Sequence, residues 1–477
     1  MTQQNRRTFL KHSAAAAGAL AGFMISGTKA SGRIIGANDT VRVCVCGIHG
    51  QGRSHINAYT DMKGAEVSHF VDPDSSLFEP RSKMITDKGG KTPICFQDIR
   101  KALEDDGFDA VSIASPNHWH SLLSILACEA GKDVYVEKPL SHNIFEGRKL
   151  VEAARRHNRI VQHGTQQRSS PERHKGIAAV ASGKYGKLLI SYGWASKPRG
   201  SIGFAQPEPP PDALDFDLWL GPAQKTPFHK NLVHYNWHWF WDFGNGEIGN
   251  QGVHQMDVAR WVVTAATGLV GPKSVISMGG RYGYEDQGQT PNTQLTIMDF
   301  GETKLFFEDY GLVTNDTKKV DNEFYMEEGV IRGGKFYPKG KEEGEPIEDV
   351  EYTCYPGGNF GNFINCVRSR KQEELNADVL EGHFSAALCH VGNISYRLGE
   401  PAPFREKCDV LADDKDALEA FEGMKEHLKE HTKMDLNEGQ YRLGRKLSYN
   451  AENEKFIGDE EANALLTRKY RAPFVVA

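Results

Sequence analysis

Short apolar runs alternate with longer mixed segments from about residue 41 to residue 164. The longer segments have helical patterning, and the loops between runs and helices are short. This alternation predicts a parallel α/β domain in which helices connect neighbouring strands. The apolar runs lie at 41–46, 65–71, 108–114, 134–136 and 160–164.

The pattern changes from residue 188 onward. Strand-like runs at 188–196, 293–300 and 304–310 are separated by long loops and by a helical segment around His254. This arrangement predicts a second domain whose strands are not joined by regular crossover helices. Helical patterning returns at 362–370, at 377–398 and, within a charged tail, at 414–431.

The first apolar run ends in three glycines, Gly47, Gly50 and Gly52, within the sequence VRVCVCGIHGQG. Glycines at such a turn permit a tight bend, let the backbone approach a pyrophosphate and leave free N–H groups at the helix start. The second run ends in Asp72, where a carboxylate accepts hydrogen bonds from ribose hydroxyls. The spacing indicates a dinucleotide-binding βαβ unit, although the glycines alone also fit an ordinary strand-to-helix turn.

Later strand ends also carry polar residues. The third run is followed by the segment 115–120, and the fourth places Glu137 and Lys138 at the carboxyl edge of the sheet, where doubly wound folds bind ligands. The last run leads to 165–168, at the expected nicotinamide end of the cofactor. The predicted cofactor-binding residues are Gly47, Ile48, His49, Gly50, Gly52, Asp72, Ser115, Pro116, Asn117, His120, Glu137, Lys138 and Gln166.

The tripeptide Glu137-Lys138-Pro139 after a glycine-rich Rossmann start resembles the Gfo/Idh/MocA oxidoreductase family, which includes glucose-fructose oxidoreductase and inositol dehydrogenases. The segment 249–257, GNQGVHQMD, is similar to the family's G-x-H-x-x-D segment, so the resemblance covers roughly residues 40 to 400. It implies an N-terminal Rossmann domain and a C-terminal α/β domain with a large open, mostly antiparallel sheet. It also implies that Lys138 is a catalytic residue beside the nicotinamide and the substrate hydroxyl, and that His254 is the catalytic acid/base.

The chemistry of alcohol oxidation agrees with these roles, because it needs a hydride acceptor and a base for the hydroxyl proton. Histidine has a suitable pKa without tuning, and lysine reaches one when it is desolvated. Taken alone, Lys138 also fits a surface lysine at a strand end, and His254 a structural helix histidine. Sugar dehydrogenases of the family often carry Asp four residues before the histidine, whereas this chain has Asn250, which does not ionise.

Three of the seven tryptophans fall within residues 237–241, shortly before His254. Aromatic faces stack on sugar C–H groups, and ligand pockets combine apolar walls with a few polar groups. The same alternation also fits one face of a buried strand or an oligomer contact. On the first interpretation, the substrate-binding residues are Arg168, Trp237, Trp239, Asn250, His254 and Asp257.

The composition is that of a globular protein, and its 477 residues suffice for two cores and an extension. A net charge of −6 lacks the basic footprint that nucleic-acid binding needs. No run after residue 30 approaches the ~20 apolar residues that cross a bilayer. The eight cysteines form no C-x-x-C pair and do not cluster with histidines, so neither a disulfide framework nor a metal site is predicted.

The N-terminus carries Arg6 and Arg7 before an Ala-rich apolar run at 13–25 and a small-residue region ending at Ala30. This resembles a bacterial twin-arginine export signal and predicts a periplasmic or otherwise exported protein. That route is understood to carry folded proteins, so the cofactor can travel inside. The predicted parts are a signal peptide at 1–30, a Rossmann NAD-binding domain at 40–165, a substrate-binding and oligomerisation domain at 166–400, and a C-terminal extension at 401–477.

Together these features predict an exported NAD-dependent oxidoreductase, a homo-oligomer, that transfers hydride between a sugar, polyol or glycoside hydroxyl and a tightly bound nicotinamide cofactor. NAD is expected rather than NADP, because Asp72 would repel a ribose phosphate. An alternative is a redox-neutral NAD-dependent glycosidase or lyase that oxidises the sugar transiently. The intact Glu137-Lys138-Pro139 favours the dehydrogenase, while a periplasm without free NAD favours the alternative. A third possibility is an inert binding protein that has kept the fold.

Overall fold

The computed structural model describes residues 40–312 and 319–477. The expected export signal at 1–30 lies outside the described residues. Two β-sheets form the framework of the molecule, one in each half of the chain. Within these ranges none of the helices combines the length and apolar character that crossing a membrane requires. The eight cysteines all lie in these ranges and are free thiols.

The first sheet has six parallel strands, as the alternating pattern predicts. They are β1 (Val41–Cys46), β2 (Ala65–Val71), β3 (Ile94–Phe96), β4 (Ala110–Ile113), β5 (Asp133–Val136) and β6 (Val161–His163). Their order is β3-β2-β1-β4-β5-β6, which is that of a dinucleotide-binding Rossmann domain. Strand β3 was not anticipated from the sequence, because only three residues of mixed exposure form it.

Helices cover this sheet because its strands are apolar on both faces. The connecting helices are α1 (Gly52–Thr60), α2 (Phe78–Thr86), α3 (Ile99–Ala102), α4 (Asn117–Glu129) and α5 (Ile144–Arg156). Helix α4 is buried over most of its surface, because later parts of the chain pack against its outer face.

The second sheet is mixed and mostly antiparallel, which confirms the expected architecture. Its strands are β7 (Leu188–Ser196), β8 (Ser274–Gly280), β9 (Thr293–Asp299), β10 (Lys304–Tyr310), β11 (Lys319–Met326), β12 (Gly329–Arg332), β13 (Lys335–Pro338), β14 (Glu345–Pro346), β15 (Glu400–Pro403), β16 (Gln440–Leu443), β17 (Leu447–Asn450) and β18 (Lys455–Phe456). The main path is β14-β13-β12-β11-β7-β10-β9-β8-β16-β15, with β17 and β18 attached beside β8. The parallel pair is β7 with β10.

Helices of the second half pack on both sheets. They are α6 (Pro171–Ala181), α7 (Phe216–Leu220), α8 (Val253–Thr267), α9 (Gly358–Ser369), α10 (Val379–Arg397), α11 (Lys415–His431) and α12 (Glu460–Ala464). Helices α6, α8 and α10 share the core on one face of the second sheet, and α11 covers the other face. Helix α9 instead packs into the core of the first sheet, so the chain returns to the first domain before it ends.

The residues after 400 are part of this architecture and wrap both domains. Strands β15 and β16 extend the second sheet, and α11 supplies one of its two faces. The last residues reach back to the first domain, where Phe474 and Val476 are buried with α4. The tail therefore holds the two domains together.

Candidate active site

A cavity of about 470 Å³ lies at the carboxyl ends of the first sheet's strands. The second domain closes its other side with residues around 234–238 and 250–254. This is the position at which ligands bind in doubly wound folds. The cavity walls combine glycine backbone, aromatic rings and a small number of ionisable side chains.

The glycine turn forms one end of this cavity. Gly47 has a left-handed φ of 79°, and a Cβ there would lie 2.5 Å from the backbone nitrogen of Ser115. Gly50 borders open space, so the backbone is exposed to a ligand. A Cβ on Gly52 would lie 2.0 Å from the Gly47 carbonyl oxygen, so this glycine lets α1 start against the turn. Among the described residues no side chain caps the start of α1, although the N–H groups of Arg53 and Ser54 donate to the carbonyl oxygens of Gly50 and Gln51. The positive end of the helix dipole therefore faces an anionic ligand such as a pyrophosphate.

Two of the expected cofactor contacts, Ile48 and Gly52, support the turn and do not line the cavity. The side chain of Ile48 is buried in the domain core, and its N–H donates to Oδ2 of Asp72 at 2.8 Å. Gly52 faces the backbone of Gly47. His49 does line the cavity, where its ring stacks on His234 with centroids 4.3 Å apart.

Asp72 lies in the cavity wall at the end of β2, as expected. Its Oδ1 accepts a hydrogen bond from the N–H of Asp74 at 2.9 Å. Burial raises the pKa of Asp72 to about 6, against the lowering effect of its two backbone hydrogen bonds. Arg81 lies nearby but donates to the carbonyl oxygens of Ile48 and His49. Its position near Asp72 was not anticipated, because it comes from the following helix.

The remaining expected cofactor residues gather around the middle of the cavity. Those that line it are Ser115, Pro116, Asn117, His120, Glu137, Lys138 and Gln166. Ser115 Oγ and Asn117 Oδ1 are buried without a hydrogen-bond partner among the described residues. Buried polar atoms are usually paired, so these two atoms fit a polar ligand such as a dinucleotide.

Glu137 is buried at the centre of the cavity wall. Its Oε1 accepts hydrogen bonds from Gln51 Nε2 at 3.1 Å and from His55 Nε2 at 3.2 Å. Burial alone would raise the pKa of Glu137, but the bond to His55 and the positive neighbours outweigh it and lower the pKa to about 2. Glu137 is therefore an ionised acceptor. His55, which bonds it, was not singled out from the sequence.

Lys138 reaches across to the second domain. Its Nζ donates to the backbone oxygen of Asn250 at 3.0 Å and to Asn250 Oδ1 at 3.3 Å. Burial lowers the pKa of Lys138. His254 lines the same cavity, and burial together with the Lys138 charge lowers its pKa to about 3. His254 is thus a neutral imidazole at neutral pH and is able to accept a proton.

Asn250 sits in a π-helical turn, Ile248–Gly252, that leads into α8. Its Nδ2 donates to the hydroxyl oxygen of Tyr235 at 3.2 Å and to Glu247 Oε2 at 3.4 Å. Arg199 holds both partners, because it pairs with Glu247 at 2.7 Å and donates to the Tyr235 hydroxyl at 3.0 Å. Arg199 and Glu247 were missed in the sequence, where no motif marks them, whereas Tyr235 begins the aromatic segment that the sequence suggested as the substrate region.

The aromatic segment before His254 only partly meets its expected role. Trp237 lines the cavity, and its ring stacks on His238 at 3.6 Å. Trp239 does not line the cavity, and its ring lies 5.4 Å from the Arg199 guanidinium. Residues Asn236–Trp239 form a 3₁₀ turn, so their side chains do not alternate as in a strand. The prediction of a cavity contact for Trp239 is therefore corrected.

Arg168 and Asp257 do not line the cavity either, which corrects their expected contact with substrate. They form a buried ion pair at 2.9 Å, and Ser385 Oγ also donates to Asp257 at 2.6 Å. Each buried charge needs a partner, and these two satisfy each other. The pair ties the segment after β6 to α8. Within the described ranges, no three His, Cys, Asp or Glu side chains are grouped to hold a metal ion.

Comparisons with known proteins cover most of the chain. A model for an oxidoreductase family with an NAD-binding Rossmann fold, GFO_IDH_MocA, matches residues 41–165. The model for the C-terminal α/β domain of that oxidoreductase family matches residues 188–429. The two matches correspond to the two sheets of the structure.

Inositol 2-dehydrogenase from Corynebacterium glutamicum (strain ATCC 13032) is 28% identical over 207 residues, which are 41% of this chain and 60% of that protein. A glycosyl hydrolase family 109 protein from Shewanella pealeana is 28% identical over 135 residues, 28% of this chain and 30% of that protein. The chain thus spans less than two thirds of the length of these curated relatives.

Among solved structures, the WlbA dehydrogenase from Bordetella pertussis in complex with NADH and UDP-GlcNAcA has a TM-score of 0.56 at 18% identity. The similarity covers 75% of this chain and 97% of that one. At this identity the likeness establishes a shared fold across both domains.

Proposed function

Because the chain belongs to the Gfo/Idh/MocA oxidoreductase family, we propose that it is an NAD-dependent oxidoreductase acting on a CH–OH group of a sugar, polyol or glycoside. The observation that carries this proposal is that Lys138, His254 and the glycine turn meet at one cavity. NAD supplies the hydride acceptor. Gly47, Gly50 and Asp72 would hold its pyrophosphate and ribose.

The proton of the reacting hydroxyl passes to the neutral imidazole of His254. Burial and the neighbouring Lys138 charge keep this imidazole unprotonated, so it is available as the general base in the oxidation direction, although the same effects make it a weaker base than a free histidine. The Lys138 ammonium donates a hydrogen bond to the substrate oxygen and stabilises negative charge that develops there. In the reduction direction the imidazolium of His254 returns this proton to the substrate oxygen, and Lys138 again donates a hydrogen bond to that oxygen.

Asn250 positions Lys138 in this scheme. Its carbonyl oxygens accept from the ammonium, and its amide is anchored through Tyr235 and Glu247. Because Asn250 carries no charge, it orients Lys138 without neutralising it. Asn250 therefore adds no negative charge that would compete with the substrate oxygen for the ammonium.

The substrate class is supported by the chemistry of the second-domain wall. Trp237 and Tyr235 offer ring surface, and Gln251 adds polar amide groups beside it. Such a mixture suits hydroxylated rings, whose C–H faces pack on aromatics while their hydroxyls form hydrogen bonds. The inositol 2-dehydrogenase relative supports a polyol or sugar.

A redox-neutral glycosidase is the second candidate, supported by the similarity to a glycosyl hydrolase family 109 protein. In this reaction the sugar is oxidised transiently, the glycosidic group is eliminated, water is added and the sugar is reduced again. The same base and the same ammonium serve both reactions. The two candidates therefore differ in their products and share the site.

The test begins with the cofactor content of the purified protein, followed by a panel of polyols, sugars and glycosides. A dehydrogenase forms reduced nicotinamide in proportion to the substrate oxidised. A redox-neutral enzyme releases sugar over many turnovers without net reduction, and in heavy water it exchanges the hydrogen beside the oxidised carbon. Absence of both signals across the panel would contradict the proposal.

Variants link that activity to the site. Lys138→Ala should lower turnover by roughly 100-fold or more while the protein still binds NAD, because the glycine turn is untouched. His254→Ala should do the same. Lys63→Ala removes an exposed lysine outside the cavity and is the matched control. Near-normal turnover of both site variants would overturn the assigned roles.

We also propose that the protein is exported by the twin-arginine route and works as a homo-oligomer. Arg6 and Arg7 before the apolar run support export. Replacing both with Lys should keep the unprocessed protein inside the cell, since the receptor reads the guanidinium groups and not charge alone. If the variant with both arginines replaced were found processed in the periplasm, this would contradict export by the twin-arginine route. Light scattering of the purified protein tests the oligomer.

A further inference from the structure

A second cavity, of about 300 Å³, has a set of described lining residues that does not overlap with that of the first. Its walls come from the loop after Lys138, from the loop before the Asn250 turn, from the end of α10 and from residues 464–469 of the tail. The cavity is thus located where the tail meets both domains. The proposed reaction makes no use of it.

The charges around this second cavity are unbalanced. Arg397, Arg468 and Lys469 line it, and Asp242 is the carboxylate among its lining residues. Asp242 is mostly exposed and lies 3.9 Å from the Arg468 guanidinium. Arg397 is held over the ring of Trp241 at 5.1 Å. The buried Glu146 lies close to Arg468 and accepts a hydrogen bond from Asn143, but it does not line the cavity. Among the described lining residues, three cations against one screened carboxylate favour an anion.

Three buried polar atoms at this cavity have no hydrogen-bond partner among the described residues: His142 Nε2, Arg468 Nε and Asn245 Oδ1. The side chains of His142 and Asn245 are more than nine-tenths buried. Buried polar atoms in folded proteins are nearly always paired, so three unpaired atoms around one cavity indicate a missing partner.

The donors and acceptors can be assigned. Arg468 donates to Nδ1 of His142 at 3.1 Å, so the proton of the neutral ring sits on Nε2. Asn245 Nδ2 donates to the carbonyl oxygen of His142 at 3.0 Å, which leaves Oδ1 as an acceptor. The cavity therefore offers two N–H donors, one of them cationic, and one amide oxygen.

We propose that this cavity binds a small oxyanion that also carries a hydroxyl group. Its oxygens accept from Arg468 Nε and His142 Nε2, and its hydroxyl donates to Asn245 Oδ1. Hydrogen phosphate and a sugar carboxylate share this chemistry, and both are small enough for the volume. Binding would connect the tail to the loop that follows Lys138 and to the loop that precedes Asn250.

The test is a calorimetric titration of the full-length, NAD-saturated protein with inorganic phosphate and, separately, with glucuronate. Saturating NAD occupies the glycine turn but leaves the substrate side of the first cavity open. Binding is therefore assigned to the second cavity only where the variants of its own lining residues weaken it. Arg468→Met and Arg397→Gln should each weaken binding by roughly 10-fold or more. Arg405→Gln changes an exposed arginine outside the cavity and should bind as the unmodified protein does.

Saturable binding of either probe that the two variants weaken supports the proposal, and the preferred probe identifies the source of the anion. A rise in melting temperature with the same probe gives an independent readout. If Arg468→Met does not fold, Arg397→Gln decides, because its side chain is exposed. No saturable heat, or equal binding by the variants, would show that the cavity holds only water. Lys138→Ala should bind the anion normally, so this outcome is independent of the proposed activity.

Discussion

Lys138 and Asn250 form the contact through which the two domains meet at the centre of the cavity. The neighbouring carboxylates are already engaged, Glu137 by His55 and Glu247 by Arg199. Within the described part of the chain, Lys138 Nζ therefore donates to the oxygens of Asn250 and to no carboxylate. At the residue scale, the presence of the Asn250 amide in place of a carboxylate leaves the positive charge of Lys138 available to the substrate oxygen.

Asn250→Asp tests this charge balance. A carboxylate at this position pairs with Lys138 and favours the protonated imidazole of His254, so the pKa of His254 rises from about 3. Since only the neutral imidazole accepts the hydroxyl proton, the acid limb of kcat/KM for oxidation should move to higher pH by roughly one unit. Asn250→Ser, which adds no charge, is the control. A limb that stays in place or moves to lower pH would contradict the role of His254.

At the scale of elements, the glycines of the turn have different roles: Gly50 leaves room for the ligand, whereas Gly52 allows α1 to pack against the turn. Gly50→Ala adds a methyl group into open space, so stability should change by less than about 0.5 kcal/mol while NAD affinity falls roughly 10-fold. Gly52→Ala forces a Cβ against the Gly47 carbonyl and should cost about 2 kcal/mol of stability. Urea unfolding and NAD titration of both variants measure this. If the two substitutions changed the stability equally, the different roles of Gly50 and Gly52 would be refuted.

The buried pair of Arg168 and Asp257 fixes α8 against the segment after β6. Asp257→Asn leaves the Arg168 guanidinium without its main counter-charge, so the free energy of unfolding should fall by about 3 kcal/mol. Glu381 remains 3.2 Å from Arg168 and softens the loss. Glu422→Gln breaks the exposed pair with Lys425 and should change stability by less than about 0.5 kcal/mol. If the Asp257→Asn protein were as stable as the unmodified protein but had a raised KM, this would support the original prediction that Asp257 contacts the substrate.

At the scale of the whole molecule, the C-terminal tail completes the first domain. The ring of Phe474 packs edge-on against Trp119 of α4 at 5.4 Å, and Trp119 itself lines the cavity. Arg471 anchors the same stretch through Asp217 at 2.9 Å. The last residues of the chain thus support the wall of a site built by its first strands.

Phe474→Ala should lower the free energy of unfolding by about 3 kcal/mol, because the buried ring leaves a hole beside α4. NAD affinity should fall as the Trp119 wall loosens. The neighbouring Val475 is 45% exposed, so Val475→Ala is a matched control with little expected effect. Thermal unfolding and NAD titration test both. If the two variants were equally stable, the tail would not support this wall.

The local sequence pattern was sufficient to predict many of the strands and helices of this protein. The parallel domain, the strands at 188–196, 293–300 and 304–310, and the helix at 414–431 are all present in the structure. Alternation and glycine placement act over a few residues, so they can be read without knowing the fold. The packing of α9 on the first sheet was not predictable in this way, because its apolar face is compatible with either core.

The sequence by itself determined the glycine turn, Asp72 and the lysine at the end of β5, since each is fixed by short-range chain geometry. Only the tertiary structure decided which charged residues reach the cavity. Arg168 and Asp257 neutralise each other in the interior, while Arg199 and Glu247, 48 residues apart, assemble around Asn250. The physical reason is that a buried charge is stable only beside an opposite charge or a hydrogen-bond partner. That partner can lie far away in the sequence, so only the folded structure shows which residue it is.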